Sequence, residues 1–358
     1  MRICRCADFL DVAMIMIAKA FAHLHIRTSI ATFAYMHILV TGATGFLGSE
    51  VALQLVQSGQ RIRCTKRVSS KIPQILLPYA QLIDWIDADL MDVFALEDAL
   101  QGITQVFNSA AWVSLKQADK EPMIRTNVTG TANLVNLCVE KGIRLVHVSS
   151  IAAIGIAKPG ELITENNHLD SSTENDGYAL SKLESEMEVW RGIAEGLDAV
   201  IVNPSLIIGP NAGVLGSGQL FETVRKGLKV YTTGSAGFVD VQDVAKCMIA
   251  LMESDITAER YIISAENRNY QQLIPEIAQG FGVQPPTILA KPWMMEIAWR
   301  GAAVISAITG KPPMLDKIAA KSATLNKNFD NSKIRKAIGI EFKPISKTIV
   351  EICAALGK

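Results

Sequence analysis

The segment Ile38-Leu39-Val40-Thr41-Gly42-Ala43-Thr44-Gly45-Phe46-Leu47-Gly48 constrains this chain more than any other. An apolar run that stops at Thr41, turns through small residues and enters a helix near Gly45 points unpaired helix N–H groups, and the positive end of the helix dipole, at whatever fills the turn. A pyrophosphate is the usual occupant. Glycine at 42 permits a tight turn, glycine at 45 lets backbone approach the phosphates, and glycine at 48 lets helix and strand pack closely. The spacing is GxxGxxG rather than the better-known GxGxxG, so the glycines alone say little. A strand before them and a helix after them supply the context that makes the turn a dinucleotide cradle.

From residue 37 onward apolar β-branched runs alternate with helical patterns: His37–Thr41, Phe46–Ser58, Arg61–Lys66, Leu82–Ile86, Val93–Gln101, Gln105–Ser109, Lys116–Lys141, Ile143–Ser149, Tyr178–Glu195 and Ala199–Asn203. Such alternation predicts an α/β chain, a Rossmann-type doubly wound parallel sheet covered on both faces. After Pro204 the rhythm changes to a loop at Gly209–Gly218, a helical Gln219–Gly227 and a mostly helical last third, which predicts a smaller C-terminal substrate lobe. Residues 36–203 plus about 238–265 are expected to form the NAD(P)-binding domain, and 204–237 plus 266–358 the lobe. Pro292–Thr309 is the most apolar helix candidate, with Glu296 and Arg300 spaced as an i,i+4 pair. Two charges make it a poor span of a bilayer that needs about 20 apolar residues, so a core or lid helix of the lobe is expected.

At 358 residues and 49% hydrophobic composition the chain can bury a large core. Lys plus Arg equal Asp plus Glu at 35 each, which leaves no basic excess for nucleic acid. Cys4, Cys6, Cys64, Cys138, Cys247 and Cys353 are scattered without a CxxC pair, so neither a disulfide framework nor a metal site is expected and a reducing cytoplasm fits. Residues 1–35 read as an N-terminal extension outside the fold: the apolar patch Val12–Ala18 is short and bracketed by Asp8, Asp11 and Lys19.

The choice of dinucleotide turns on the end of the second strand, where an acid would bond the adenosine ribose of NAD and a base would accept the 2′-phosphate of NADP. That strand ends Arg63-Cys64-Thr65-Lys66-Arg67, so Lys66 and Arg67 favour NADP, with NAD still possible; the alternative is that both are solvated surface charges. Asp89 and Leu90, after the third strand, stand where an adenine amino group could be read. Further on, Gly177-Tyr178-Ala179-Leu180-Ser181-Lys182 spaces a phenol and an ammonium one helical turn apart, and the preceding strand ends in Ser149-Ser150. A phenol with a pKa of about 10 must move by roughly 3 units, about 4 kcal/mol, to exchange protons near neutrality. A cation about 4 Å away supplies that much at an effective dielectric of about 20. Lys182 is thus the tuning charge, Tyr178 the proton donor, and Ser150 the group that holds the substrate oxygen. His147 reads as a strand residue with a local hydrogen bond, since nothing near it completes a triad or metal set.

TGATGFLG, the Asn-Ser-Ala-Ala of 108–111, Asn127-Val128-Thr129-Gly130-Thr131, SSIAAIG, YALSK, NPSLIIGP and FVDVQDVA occur in the order seen in the extended short-chain dehydrogenase/reductases, the NAD-dependent epimerase/dehydratase superfamily. The chain resembles most the branch that holds dihydroflavonol reductases, cinnamoyl-CoA reductases and 3β-hydroxysteroid dehydrogenases, over about residues 36–265. The resemblance implies that Gly42, Thr44, Gly45, Phe46, Leu47 and Gly48 hold the dinucleotide, that Ala110, Ala111 and Asn127 line its path, and that Pro204 and Ser205 flank the nicotinamide. It implies Ser150, Tyr178 and Lys182 as catalytic residues; Ser150 rather than Ser149 stands five residues before Gly155, as the active serine of the family does. It also implies Met36 as the natural start, and a homodimer surface on helices Lys116–Lys141 and Tyr178–Glu195.

Three functions stay open: an NADP(H)-dependent reductase of a ketone or aldehyde (or oxidation of the alcohol), a nucleotide-sugar epimerase or dehydratase with tightly bound NAD, and a cofactor-sensing protein. Ile151 and Ala152 stand where the dehydratase branch carries its Asp-Glu, and Asn203 where sugar-nucleotide members commonly carry arginine. Arg225 and Arg268 are the arginines expected near a cleft, too few for a diphosphate, and Trp293, Met294, Met295, Ile297 and Trp299 suggest a largely apolar small-molecule substrate.

Overall fold

The computed structural model describes residues 37–357 apart from 115, 159, 170–176, 214–215, 310–319 and 321–322. The expected extension 1–35 and the start at Met36 lie outside the described residues. Strand β1 (Ile38–Thr41) leads into helix α1 (Phe46–Gln57), followed by β2 (Ile62–Lys66), β3 (Ile83–Asp87), α2 (Val93–Ala99), β4 (Gln105–Asn108), α3 (Lys120–Lys141), β5 (Arg144–Val148), α4 (Gly177–Ala194) and β6 (Ala199–Pro204). All ten lie close to the expected bounds. Between β2 and β3 the chain adds a 3₁₀ helix, Gln74–Leu82, whose internal Pro78 and tight winding leave no 3.6-residue period to read.

The remainder comprises β7 (Leu206–Ile208), α5 (Gly218–Arg225), β8 (Val230–Tyr231), β9 (Ser235–Asp240), α6 (Val241–Glu253), β10 (Glu259–Ile263), β11 (Glu266–Asn269), α7 (Tyr270–Gly280), β12 (Ile288–Leu289), α8 (Pro292–Thr309), α9 (Ser332–Ile338) and α10 (Ile345–Leu356). Seven strands form one parallel sheet in the order β10-β6-β5-β4-β1-β2-β3. This is a Rossmann-type doubly wound α/β fold, and its strand order reverses between β1 and β4, where the carboxyl ends of the strands open a crevice. A three-stranded sheet, β11-β9-β7, and the pair β12-β8 belong to the region after β6.

Side chains that alternate along each strand divide the interior into two layers. Ile38, Val40, Val146, Val148, Val200 and Val202 face a core shared with α1, α6, α7 and α10. Leu39, Val106, Leu145 and Ile201 face the other, under α2, α3 and α4. On that second face each strand turns polar at its carboxyl end: Thr41 follows Leu39, Asn108 follows Val106, His147 and Ser149 follow Leu145, and Asn203 follows Ile201. A buried polar layer therefore closes the core on the face that α4 covers.

Helix α8 departs from the core position expected of it. None of the described side chains of α8 is buried, and Trp293, Ile297 and Val304 are 62%, 63% and 60% exposed, so α8 is not a core helix. Spacings of four and seven residues set these three on one stripe, and that stripe faces away from the protein. The expected Glu296–Arg300 pair does form, with Arg300 also lying over the Trp299 ring at 4.6 Å.

Candidate active site

At the reversal of strand order Gly42 adopts a left-handed φ of +68° and its backbone abuts the β4 loop. A Cβ at Gly42 would lie 2.6 Å from the Ala110 nitrogen, and one at Gly48 would lie 2.2 Å from the Gly42 oxygen. Both glycines are required by contact with backbone, which cannot yield. Gly45 donates to the Gly42 oxygen at 2.9 Å and starts α1 with no side-chain cap and no acidic residue in the first turn. The leading N–H groups of α1 thus meet no side-chain cap among the described residues, a cradle that fits a dinucleotide phosphate. Thr44 and Phe46 are half-buried beside it and Leu47 is buried in the core; Phe46 packs its ring edge against Gly209.

Tyr178 and Lys182 lie one turn apart at the start of α4, Tyr178 half-buried and Lys182 buried. Lys182 Nζ donates to the Val148 carbonyl at 3.0 Å, two residues before Ser150. Burial pushes the Lys182 ammonium down to about 8, while the carboxylate of Glu186 opposes the fall. Ser150 Oγ accepts from the Ala152 nitrogen at 3.1 Å, capping the short turn after β5, and its proton goes to no acceptor among the described residues. Ser149 is different: its hydroxyl is spent on Glu186 Oε2 at 2.6 Å. The geometry leaves Ser150 as the serine able to meet a ligand. Behind it, Gly155 runs so close to His168 that a Cβ would lie 1.8 Å from that carbonyl oxygen.

His147 lies in the polar layer, with Asn108 Nδ2 at 3.0 Å from its Nδ1. Asn108 Oδ1 already accepts from Thr41 Oγ1 at 2.6 Å, so its amide nitrogen donates and Nδ1 must accept, leaving the proton on the partnerless Nε2. Burial, with Lys182 nearby, pushes the imidazole down to about 3, so His147 is neutral near neutral pH. This is the strand residue with a local bond that the sequence implied.

Other predicted residues divide by what they touch. Lys66 pairs with Asp87, its register partner on β3, while exposed Arg67 has no ion pair among the described residues. Asp89 accepts from the Met91 nitrogen at 2.9 Å, and Leu90 packs on Gly130 of α3. Asn127 accepts from the Trp112 nitrogen at 2.7 Å and donates to its oxygen and to Ser181 Oγ, so it joins the Ala110–Ala111 loop to α4. Pro204 and Ser205 are buried at the end of β6, with Ser205 Oγ unpartnered. Arg225 is exposed and held by Glu222, and Arg268 is held by Glu266 and Glu276. No metal cluster and no helix able to cross a membrane occur among the described residues. Cys64, Cys138, Cys247 and Cys353 are buried free thiols.

Sequence reasoning missed Glu186, Asn203 as a donor to Ser150, and Asp87. The signal for Glu186 was present, because it extends the Tyr178 and Lys182 face by one more four-residue step.

Comparison with known proteins agrees with the fold. The NAD dependent epimerase/dehydratase family is matched over residues 38–264. A putative dihydroflavonol 4-reductase of Synechocystis sp. is 30% identical over 321 residues, 87% of this chain and 92% of the relative. Sterol demethylase protein B of Methylococcus capsulatus is 27% identical over 317 residues, 85% and 93% of the two chains. The crystal structure of gox2253 superposes with a TM-score of 0.78 at 30% identity, covering 89% of this chain and 97% of that one.

Proposed function

The chain belongs to the NAD-dependent epimerase/dehydratase family, whose members are NAD(P)-dependent oxidoreductases or epimerases, and we propose that it is an NADP(H)-dependent oxidoreductase that reduces a ketone or aldehyde or oxidises the corresponding alcohol. The observation that carries this reading is the buried Lys182, one turn from Tyr178 and bonded to the strand that ends in Ser150. Tyr178, Lys182 and Ser150 are the proposed catalytic residues. The glycine turn from Gly42 to Gly48, with Thr44, Phe46 and Leu47, would hold the dinucleotide, whose nicotinamide would supply or take the hydride. Asp89, Leu90, Ala110, Ala111, Pro204 and Ser205 line its path, and Asn127 braces it.

Ser150 holds the substrate oxygen against Tyr178, and the phenol delivers the proton that balances the hydride. Lys182, as an ammonium, draws the Tyr178 proton toward neutral pH. Turnover therefore falls as the pH rises through about 8, where Lys182 loses its charge. A preference for NADP follows from Arg67, a cation just past the end of β2 with no ion pair among the described residues, and from Lys66 beside it, which shares its charge with Asp87.

Two features argue for a carbonyl substrate over a nucleotide sugar. Ile151 and Ala152 occupy the elimination positions, and Arg225 and Arg268, the cations expected at the cleft, are already bonded to carboxylates. The apolar character of the substrate now rests on relatives named for dihydroflavonol and sterol rather than on Trp293 and Ile297. Division into a cofactor-binding unit and a substrate lobe, a cytoplasmic location and a homodimer through α3 and α4 belong to the same proposal. The test is turnover of purified protein with NADPH and NADH against apolar ketones, aldehydes and UDP- or GDP-sugars. NADPH-dependent carbonyl reduction is the expected result; epimer formation without carbonyl activity would reverse the assignment.

A further inference from the structure

Glu186 is 1% exposed at the centre of the polar layer. Four donors converge on its two oxygens: Ser149 Oγ at 2.6 Å and Asn203 Nδ2 at 2.8 Å on Oε2, and Arg260 Nη1 at 2.9 Å and Trp190 Nε1 at 3.3 Å on Oε1. Three of these donors come from the carboxyl end of β5, from β6 and from β10, so a single carboxylate on α4 ties that helix to three neighbouring strands of the sheet. The amide nitrogen of Asn203 also donates to the Ser150 carbonyl at 3.0 Å, which carries the tie to the backbone of the serine itself.

A network confined to structure would not need to stand beside Lys182. Glu186 does, one turn further along the same face. Around Lys182 the sheet contributes neutral His147, and its own helix contributes Tyr178 and Glu186. The edge strand contributes Arg260, whose charge is spent on Glu186 and on the carbonyls of Glu165 and Asn167. Glu165 turns its carboxylate to the Ile262 nitrogen instead. Glu186 is the acidic group among the described residues that acts on Lys182.

We propose that Glu186 is the positioning residue of this site, tying the Ser150 turn to the Tyr178–Lys182 helix and balancing the Lys182 ammonium. The proposal rests on the reading of Ser150, Tyr178 and Lys182 given above. It assigns two separable effects to one side chain. The negative charge acts on Lys182, and the bond to Ser149 fixes the strand end.

Glu186→Gln removes the charge and keeps the shape. NMR titration of the lysine side chains, with Lys182 assigned by its loss in Lys182→Met, reads the first effect without any substrate. The Lys182 midpoint is expected to fall by about one pH unit in Glu186→Gln, as removal of a close opposite charge requires. The alkaline limb of kcat/KM should fall with it. Ser149→Ala keeps the carboxylate and cuts one tie; kcat should drop about three- to tenfold, the worth of one hydrogen bond, with the Lys182 midpoint and the alkaline limb unmoved. An unmoved midpoint in Glu186→Gln overturns the proposal, and so does wild-type kcat in Ser149→Ala. Should Glu186→Gln not fold, Ser149→Ala still decides the positioning role. If the wild-type protein reduces no carbonyl, the proposed reaction fails, while the titration still decides whether Glu186 acts on Lys182.

Discussion

Lys66 shows how a neighbouring strand changes the meaning of a residue. Read along the chain, it is half of a basic dipeptide at the end of β2; read across the sheet, it stands in register with Asp87 and is paired to it. The separation of 21 residues hides that partner from any local reading. On the NADP proposal a 2′-phosphate competes with Asp87 for Lys66, whereas Arg67 has no ion pair among the described residues. Asp87→Asn is expected to tighten NADPH by about fivefold and leave NADH unchanged, in keeping with the worth of a part-exposed ion pair. Arg67→Ala should weaken NADPH by about tenfold or more, since a bond to a charged phosphate contributes about 1.5–3 kcal/mol. Fluorescence titration with both cofactors measures each. A change of equal size for NADH in Asp87→Asn would mean that Asp87 acts on the part the cofactors share. At the proposed catalytic residues, Tyr178→Phe should abolish turnover with NADPH affinity retained, because only the proton donor is lost; near-normal rates would remove the phenol from the reaction.

At the scale of elements, joints matter as much as periods. Helix α6 ends at Glu253, and Arg144, at the start of β5, caps it by donating to the carbonyls of Leu251, Met252, Ser254 and Ile256 at 2.7 to 3.1 Å. Arg144→Ala should lower stability by about 2–4 kcal/mol in urea denaturation, since several charge-assisted bonds end together. Arg144→Lys should recover only a minor part of this, because an ammonium lacks the planar fork. A loss below about 0.5 kcal/mol, the usual range for a surface change, would show that water replaces the cap. Such joints were not legible in the sequence, whereas the central strands and their helices were. Ile38–Thr41 and Arg144–Val148 announce themselves by apolar runs buried on both faces. Glu266–Asn269 pairs with β9 through four polar residues that carry no alternation, so the second sheet stayed hidden. The outward stripe of α8 has helical periodicity like any core helix, and periodicity alone does not say which side is covered. The candidate site was legible at Gly42–Gly48, Ser150, Tyr178 and Lys182, where spacing along one element carries the chemistry. Glu186, Asn203 and Asp87 escaped because their meaning lies between elements.

Across the whole molecule, the core makes the two proposed units interdependent. Val51 and Leu55 of α1, Val244 and Met248 of α6, Leu273 and Ile277 of α7, and Ile345, Ile349, Ile352 and Cys353 of α10 form one continuous cluster. The C-terminal helix is thus packed into the layer that supports the glycine turn. Its start is pinned by polar contacts: Thr348 Oγ1 donates to Asp240 at 2.7 Å, the Lys343 nitrogen to Asp243 at 2.6 Å and the Ile345 nitrogen to Glu266 at 3.0 Å. Gly280 allows the close approach, since a Cβ there would lie 2.7 Å from Cys353 Sγ. Burying the large aliphatic side chains of α10 stabilises the fold by about 1.5–3 kcal/mol each, and three of them together approach the whole stability of a typical domain, about 5–15 kcal/mol. A chain that stops after Lys343 is therefore expected to lose cooperative unfolding and NADPH binding together, although it keeps every residue of the cofactor cradle. The milder change Thr348→Val, which removes one buried bond to Asp240, should cost about 1–3 kcal/mol and leave NADPH affinity unchanged. Urea denaturation followed by circular dichroism, with cofactor titration of the same samples, separates the two. A shortened chain that still unfolds cooperatively and binds NADPH would mean that the cofactor unit folds without α10 and that the shared core is dispensable to it.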